Sequence, residues 1–228
     1  MVFEQSACPT DKKLANFSKY VRRQTIARFM AHHEIFKRIL NVKGSIIECG
    51  VHHGGGLMTW AHLSSTLEPY NYHRKIIGFD TFQGFPSVNM VDQEGNAAAK
   101  PGMFREDYDT YAELGESIKE FNDNRFLNHI EKIELQKGDA NATIPAYVEK
   151  NKHLLVSLLY LDFDVYQPTT VALKHFLPRM PKGAVVAFDE AGNWDWPGET
   201  VALLEHFNIN QQKLECFAFE PNVSFIQF

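Results

Sequence analysis

Residues 46–56 read IIECGVHHGGG, and the helix-like stretch Leu57 to Leu67 follows them directly. The apolar run predicts a buried strand, the glycines predict a tight loop, and the next residues predict a helix. Glycines let the backbone adopt positive φ and let a ligand lie against the peptide groups, while the first turn of a helix offers free N–H donors. The stretch therefore predicts a ligand-binding turn, although many strand-to-helix turns carry glycines for packing alone.

The spacing of Gly50 and then Gly54 to Gly56 differs from two known phosphate-binding patterns. It is not the G-x-G-x-x-G of dinucleotide-binding folds, and it lacks the lysine of G-x-x-x-x-G-K-S/T. Pyrophosphate binding is therefore disfavoured. Glu48, near the end of the predicted strand, suits a ligand with a cationic or hydroxyl-bearing part, because a carboxylate accepts hydrogen bonds from both.

Length and composition favour one domain that spans residues 1–228, and the charge argues against a nucleic-acid partner. Of the 228 residues, 44% are hydrophobic and 13% aromatic, and the formal net charge is -5. The three cysteines are widely spaced without a C-x-x-C pair, which predicts free thiols in a reducing compartment. Neither a signal peptide nor a membrane span is recognisable, so we expect a cytoplasmic protein with no membrane partner.

Short apolar runs alternate with helical patterns along the rest of the chain. Further strands are predicted at residues 75–80, 133–139, 154–162 and 184–190. This alternation is typical of an α/β protein with a doubly wound, mostly parallel sheet. We also expect N-terminal helices within residues 1–42, a lid or substrate loop over residues 87–111, and a C-terminal antiparallel hairpin whose turn is Glu220-Pro221-Asn222.

Acidic side chains occur where most of these strands end. They are Glu48, Asp80, Asp139, Asp162, Asp189 and Glu190. Ligands bind outside the carboxyl ends of the strands in such sheets, so these carboxylates are expected at one rim. Crowded carboxylates repel one another unless a cation is bound, and three or four of their oxygens are typical ligands of Mg²⁺ or Ca²⁺. Asp139 and Asp164 have an alternative role as caps of the helices that follow them.

Three other groups of residues have simple structural interpretations. The arginines within residues 22–28 fit a solvated helix face better than a site. His52 and His53 lie in the glycine loop, where backbone atoms are expected to bind the ligand, so we expect the two side chains only to line the site. The tryptophans of residues 194–196 either floor a sugar or aromatic substrate or pack in the core.

Four motifs occur in order, each at a predicted strand end. They are the glycine loop, DTFQGFP at 80–86, LDFDVY at 161–166 and the acid pair at 189–190. With this combination the chain resembles the macrocin-type (TylF-like) O-methyltransferases over residues 44–208. The resemblance implies a class I S-adenosylmethionine-dependent methyltransferase with a Rossmann-like, seven-stranded sheet, which methylates a sugar hydroxyl with help from a divalent metal ion.

The resemblance also implies roles for individual residues. Cofactor binding is implied for Glu48, Gly50, Val51, His52, Gly54, Gly55, Asp80, Thr81, Phe82, Asp139, Ala140 and Asp162. A divalent ion, Mg²⁺ or another, would be held by Asp162, Asp189 and Glu190, the last of which replaces an aspartate usual in the family. Asp162 is the first candidate to accept the proton of the substrate hydroxyl, and Asp164 is the second.

Two other functions fit parts of the pattern. An acid at the end of the second strand also suits the ribose of NAD, as in a Rossmann-type oxidoreductase, but the glycine spacing argues against that function. A non-catalytic module that binds a sugar nucleotide or a protein partner would need the fold but not all of the acids. We therefore expect an O-methyltransferase that acts on a sugar, glycoside or other diol, and the resemblance favours a homo-oligomer.

Overall fold

The computed structural model describes residues 2–228, and a seven-stranded sheet runs through its centre. The strands are β1 (Ser45–Cys49), β2 (Ile76–Asp80), β3 (Ile133–Lys137), β4 (Val156–Leu161), β5 (Val185–Phe188), β6 (Glu215–Phe217) and β7 (Glu220–Gln227). Their order is β3-β2-β1-β4-β5-β7-β6, with β1 to β5 parallel and β7 antiparallel to both of its neighbours. The predicted doubly wound sheet is confirmed, and its strand order reverses between β1 and β4.

Helices cover both faces of the sheet. They are α1 (Val2–Gln5), α2 (Thr10–Ala15), α3 (Arg23–Ile39), α4 (Gly55–Leu67), α5 (Met90–Gln93), α6 (Thr110–Asp123), α7 (Ala140–Lys150), α8 (Tyr166–Phe176) and α9 (Pro197–His206). Apolar side chains of α3, α4 and α6 pack on one face, and those of α7, α8 and α9 pack on the other. Because both faces of the sheet are covered, the central strands β1, β4 and β5 are buried along their whole length and consist mostly of apolar residues. In residues 2–228, no helix combines the length and apolar character needed to span a membrane.

The C-terminal hairpin is present, but its predicted turn is misplaced. Phe217 pairs with Glu220, so the turn consists of Ala218 and Phe219, and Pro221 lies inside β7. The pairing of β7 with β6 is irregular here, and its pairing with β5 begins only at Ser224. A proline has no N–H to donate, but in this irregular part of the ladder it costs no regular hydrogen bond.

The segment of residues 87–111 is irregular apart from α5 and the first two residues of α6, and its first half is anchored. The buried Asp92 carboxylate accepts hydrogen bonds from the N–H of Asn89 at 2.7 Å and from that of Tyr166, the first residue of α8, at 2.8 Å. Asn96 N–H also donates to the carbonyl of Trp194 at 3.2 Å. The segment is therefore fixed to the start of α8 and to the loop after β5.

Gly50 lies where β1 ends, beside the reversal in strand order. Its N–H donates to the carbonyl of Phe79 at 2.9 Å, and the N–H of Asp162 donates to the carbonyl of Cys49 at 2.8 Å. Gly50 has a φ of +89°, and a Cβ at this position would lie 1.9 Å from the backbone oxygen of Asp162. The ends of β1, β2 and β4 can therefore meet here only around a residue without a side chain.

Replacing Gly50 with alanine should lower the free energy of unfolding by at least about 3 kcal/mol, because both the backbone angle and the space exclude a methyl group. Gly115→Ala is the matched control, since an added Cβ meets nothing within 4 Å at this helical position. Alanine there should stabilise the chain by up to about 1 kcal/mol. Denaturant unfolding of both variants makes the comparison, and equal stabilities would contradict the argument.

Candidate active site

A cavity of about 230 Å³ opens at the carboxyl ends of β1, β2 and β4. Most of the sequence-predicted residues line it: Glu48, Gly50, Val51, His52, Asp80, Thr81, Phe82, Asp139, Ala140, Asp162 and Asp164. Gly54, Gly55, Asp189 and Glu190 are not among the lining residues. The cavity thus brings together residues from four separate parts of the sequence, at the location that strand topology predicts for a ligand.

The Asp80 carboxylate orders the glycine loop. One of its oxygens accepts from the N–H groups of Val51 at 2.7 Å and His52 at 2.8 Å, and the other accepts from the N–H of Phe82 at 2.6 Å. A carboxylate has about four acceptor positions, so Asp80 retains capacity for a ligand hydroxyl on its cavity side. Its role toward a ribose stays a prediction, while its contacts with the loop are a role that the sequence did not indicate.

Glu48 is a buried acid at the wall of the cavity, 3% exposed, beneath the start of α4. Burial raises its pKa to about 8, even though Trp60 and the N–H of Leu57 act in the opposite direction. Within residues 2–228 its Oε2 has no hydrogen-bond partner. A Cβ on Gly56 would lie 2.7 Å from the Glu48 carboxylate, so a glycine there makes room for the acid. A buried carboxyl group with one oxygen left without a partner is suited to receive a cationic group.

His32 is a cavity residue that sequence analysis missed. It is 3% exposed, and its ring lies 4.4 Å from that of Trp60 and 5.0 Å from that of Tyr160, between centroids. Burial and, to a smaller extent, the nearby Arg28 lower its pKa to about 3, so the imidazole is neutral. Its Nε2 has no partner among residues 2–228. No local pattern marks this residue, because only the packing of α3 brings it to the cavity.

Asp139 and Asp164 differ in their relation to the helices that follow them. The Asp139 side chain accepts from the N–H of Asn141 at 2.9 Å, which confirms its alternative role as a helix cap. No side chain of the N-cap residue caps α8, and Asp92 rather than Asp164 accepts from the N–H of Tyr166. The capping role considered for Asp164 is therefore wrong. Asp164 has a φ of +62° and lines the cavity.

The acids after β4 and β5 form one electrostatic cluster. Burial raises the pKa of Asp162 well above its usual range, and Asp189 and Asp164 raise it further. Burial, Glu190 and Asp189 raise the pKa of Asp164 to about 8. The pKa of Glu190 is also raised, mainly by burial. Asp162, Asp164 and Glu190 therefore keep their protons to a higher pH than in water, and a cation bound among them would favour release of those protons.

Arg28 contacts this cluster, so the prediction that it lies on a solvated helix face is wrong. Its guanidinium donates to Asp189 Oδ2 at 2.8 Å and lies 3.7 Å from Asp162 Oδ2. The Tyr160 hydroxyl donates to the other oxygen of Asp189 at 2.6 Å. Burial alone would lower the pKa of Arg28, but Asp189, Tyr160 and Asp162 outweigh it and raise the pKa. Arg28 thus supplies one positive charge to a mostly acidic site.

The three acids predicted to hold a metal are near one another but do not converge on one point. In residues 2–228, their ligand oxygens are not all within 4.8 Å of one another. Asp189 is held by Arg28 and Tyr160, and Glu190 accepts a hydrogen bond from the side chain of Asn193. The buried Glu199, which sequence analysis missed, accepts from the N–H of Glu190 at 2.9 Å.

Comparison with known proteins identifies close relatives. A family model described as macrocin-O-methyltransferase (TylF) matches residues 23–214. The crystal structure of CalS11, a calicheamicin methyltransferase, is 33% identical, covers 100% of this chain and 88% of its own, and gives a TM-score of 0.95. An apo structure of CalS11, described as a TDP-rhamnose 3'-O-methyltransferase, is 30% identical, covers 100% of this chain and 90% of its own, and gives a TM-score of 0.85.

A more distant structure, that of the O-methyltransferase NovP, shares the fold. It is 20% identical over 89% of this chain and 79% of its own, with a TM-score of 0.67. No curated protein matches the chain.

Glu48 should make the stability of the ligand-free chain depend on pH. Its pKa is about 8 when folded against an ordinary value of 4.5, so the folded chain holds a proton that the unfolded chain releases between these values. Stability conferred by that proton is present below pH 4.5 and is lost as the pH rises toward 8, by up to about 1.4 kcal/mol per pH unit.

Glu48→Gln should therefore flatten the plot of unfolding free energy against pH over this window. Glu116→Gln, whose carboxylate is 81% exposed, should leave the slope as in the parent chain. Denaturant titrations at several pH values measure both slopes. An unchanged slope in Glu48→Gln would refute the assignment of a protonated, buried Glu48.

Proposed function

We propose that this chain, which belongs to the macrocin O-methyltransferase family, methylates a hydroxyl group of a sugar or glycoside. The methyl donor would be S-adenosylmethionine. The family and the full-length similarity to CalS11 establish S-adenosylmethionine-dependent O-methyl transfer. They leave no support for the nicotinamide-dependent and non-catalytic alternatives. The proposal of a sugar acceptor rests on the similarity to CalS11, which is described as a TDP-rhamnose 3'-O-methyltransferase. The identity is 30% over the whole of this chain.

The cavity offers each part of the donor a chemically suitable partner. Glu48, which is buried and whose Oε2 has no partner among residues 2–228, would bind the α-ammonium group and lose its proton as that charge arrives. The free capacity of Asp80 would accept from the ribose hydroxyls, and Asp139 with Ala140 would lie beside the adenine. Gly50 and the loop through Gly55 would let the backbone approach the methionine part.

Methyl transfer needs positioning and the removal of one proton. The acceptor oxygen forms a bond to the methyl carbon as the carbon–sulfur bond breaks, the sulfonium becomes a neutral thioether, and the hydroxyl proton passes to a carboxylate. Asp162 and Asp164 both line the cavity. We assign the proton to Asp164, reversing the order expected from sequence, because Asp164 does not cap α8 and Asp162 faces Arg28 at 3.7 Å.

The acidic cluster has the chemistry of a site for Mg²⁺ or a similar ion. The donors are all oxygens, the ligand atoms that Mg²⁺ prefers, and Asp162 and Glu190, whose pKa values are raised mainly by burial, would give up their protons to a bound ion. Asp162, Asp189 and Glu190 would hold the ion, and Arg28 would have to release Asp189 to expose its oxygen. Such an ion, when bound, supplies positive charge that lowers the pKa of a substrate hydroxyl.

A panel of acceptors tests the proposed function. The chain would be incubated with S-adenosylmethionine and, separately, a TDP-deoxyhexose, an alkyl glycoside, a catechol and no acceptor, each with Mg²⁺ or with EDTA. Formation of S-adenosylhomocysteine and an acceptor mass gain of one methyl group are the readouts. We expect turnover with a sugar acceptor and Mg²⁺. Turnover with the catechol alone would overturn the sugar assignment, and equal rates in EDTA would overturn the metal assignment.

Asp164→Asn should reduce kcat by about 10²- to 10⁴-fold, the usual contribution of a general base, with little change in affinity for S-adenosylhomocysteine. Asp162→Asn should reduce turnover strongly and, because Asp162 is a proposed metal ligand, should also raise the Mg²⁺ concentration needed for the remaining activity. Asp123→Asn, at the exposed end of α6, is the control. Full activity in Asp164→Asn would refute its role.

A further inference from the structure

The two histidines of the glycine loop meet an acid of the 87–111 segment at the mouth of the cavity. Glu106 Oε1 lies 3.4 Å from His52 Nε2 and 3.2 Å from His53 Nε2. The two imidazole centroids are 3.9 Å apart. Within residues 2–228, one ligand atom from each of the three side chains lies within 4.8 Å of the other two. His52 and Glu106 also line the cavity.

The backbone explains why two consecutive side chains point the same way. Neighbouring residues of a strand project to opposite faces, and those of a helix diverge around its axis. His52 instead has a φ of +49°, a left-handed conformation that is uncommon for a residue other than glycine. This turn brings the His53 ring alongside that of His52. The local conformation therefore makes the pair into two converging ligands, which sequence analysis did not anticipate.

We propose that His52, His53 and Glu106 form a binding site for Zn²⁺ or a similar transition-metal ion. Two imidazoles and one carboxylate are a ligand set that zinc uses in proteins, with a fourth position open to water. Ligand atoms bound about 2.0–2.1 Å from a tetrahedral zinc ion lie about 3.4 Å apart. The two nitrogen-to-oxygen distances of 3.4 and 3.2 Å are close to this value without rearrangement.

A second layer of contacts supports the ligand role of His53. The Tyr108 hydroxyl lies 2.8 Å from His53 Nδ1. When Nδ1–H of a neutral imidazole donates to that oxygen, Nε2 carries the lone pair that a metal requires, and such outer partners fix the ring in metal sites. The side chains of His52 and His53 are 48% and 49% exposed, so an ion can reach them from solvent.

The site is distinct from the acidic cluster in position and in preference. It lies where the glycine loop meets the 87–111 segment, whereas the acidic cluster follows β4 and β5. Imidazole nitrogens favour zinc and other transition metals, whereas a set of carboxylate oxygens favours Mg²⁺. An excess of Mg²⁺ should therefore occupy the acidic cluster without displacing zinc from the histidines.

Bound zinc would join two parts of the chain that enclose the cavity. His52 and His53 belong to the loop after β1, and Glu106 belongs to the segment before α6. An ion held by all three keeps that segment over the cavity when the donor or its product is bound. Zinc and S-adenosylhomocysteine should consequently bind with positive, reciprocal coupling.

The binding experiment titrates the full chain with zinc chloride in excess Mg²⁺, by calorimetry and by competition with a chromophoric chelator. One equivalent should bind to the parent chain. His53→Ala and Glu106→Gln should each weaken binding at least about tenfold, since losing even an outer partner of a metal site costs 10–100-fold. His129→Ala removes an exposed histidine outside the group and should bind like the parent chain. Melting curves without zinc check that the variants fold.

Cobalt chloride gives a second readout that does not depend on a variant, because tetrahedral Co²⁺ absorbs visible light strongly and zinc should abolish that absorption. Absence of zinc binding by the parent chain, or equal binding by His53→Ala and Glu106→Gln, would overturn the site. Coupling is tested by titrating S-adenosylhomocysteine with and without zinc, where affinity should rise at least about fivefold. An unchanged affinity beside intact zinc binding would overturn the bridging role alone.

Discussion

The closeness of β1 and β4 at Gly50 is the constraint on which the site depends. The two strands are hydrogen-bonded to their very ends, through Asp162 N–H and the Cys49 carbonyl, so that no Cβ fits between them. This contact sets the starting point of the glycine loop and, at the same time, the position of Asp162. In the proposed function, one side of the cavity would receive the donor and the other would supply carboxylates to the acceptor. A single glycine therefore sets the distance between the glycine loop and the acids that follow β4.

Charge is distributed unequally over that geometry. Glu48 and Asp164, each with a pKa raised to about 8, and His32, with a pKa lowered to about 3, favour their uncharged forms near neutral pH, while Arg28 keeps its positive charge beside the acids after β4 and β5. Two buried polar atoms of cavity-lining side chains, Glu48 Oε2 and His32 Nε2, have no partner among residues 2–228. Buried polar atoms normally find partners, so the cavity is prepared for a polar ligand group.

Sequence patterns predicted the sheet and the rim of the site because both depend on local information. Alternating apolar runs locate strands, and topology places the residues that end them at one edge, which is how Glu48, Asp80 and Asp162 could be assigned together. Arg28 and His32 could not be found this way, because α3 precedes the sheet in sequence and reaches the cavity only through tertiary packing. The convergence of His52 and His53 was not predicted for a different reason. It depends on the left-handed φ of His52, which the identity of the residue does not indicate.

Because Asp92 anchors the 87–111 segment, substitutions in its two parts should have different effects. Residues near Asp92 are tied to the start of α8, and a Cβ on Gly198 of α9 would lie 2.1 Å from the Asp92 carboxylate, so substitutions there disturb the framework itself. Beyond the tether at Asn96, the arm that carries Phe104 reaches the cavity wall and is held there mainly by side chains, through the contacts of Phe104 with Trp196 and of Glu106 with His52 and His53. Substitutions in this arm should therefore reshape the wall of the cavity while leaving in place the framework that Asp92 holds.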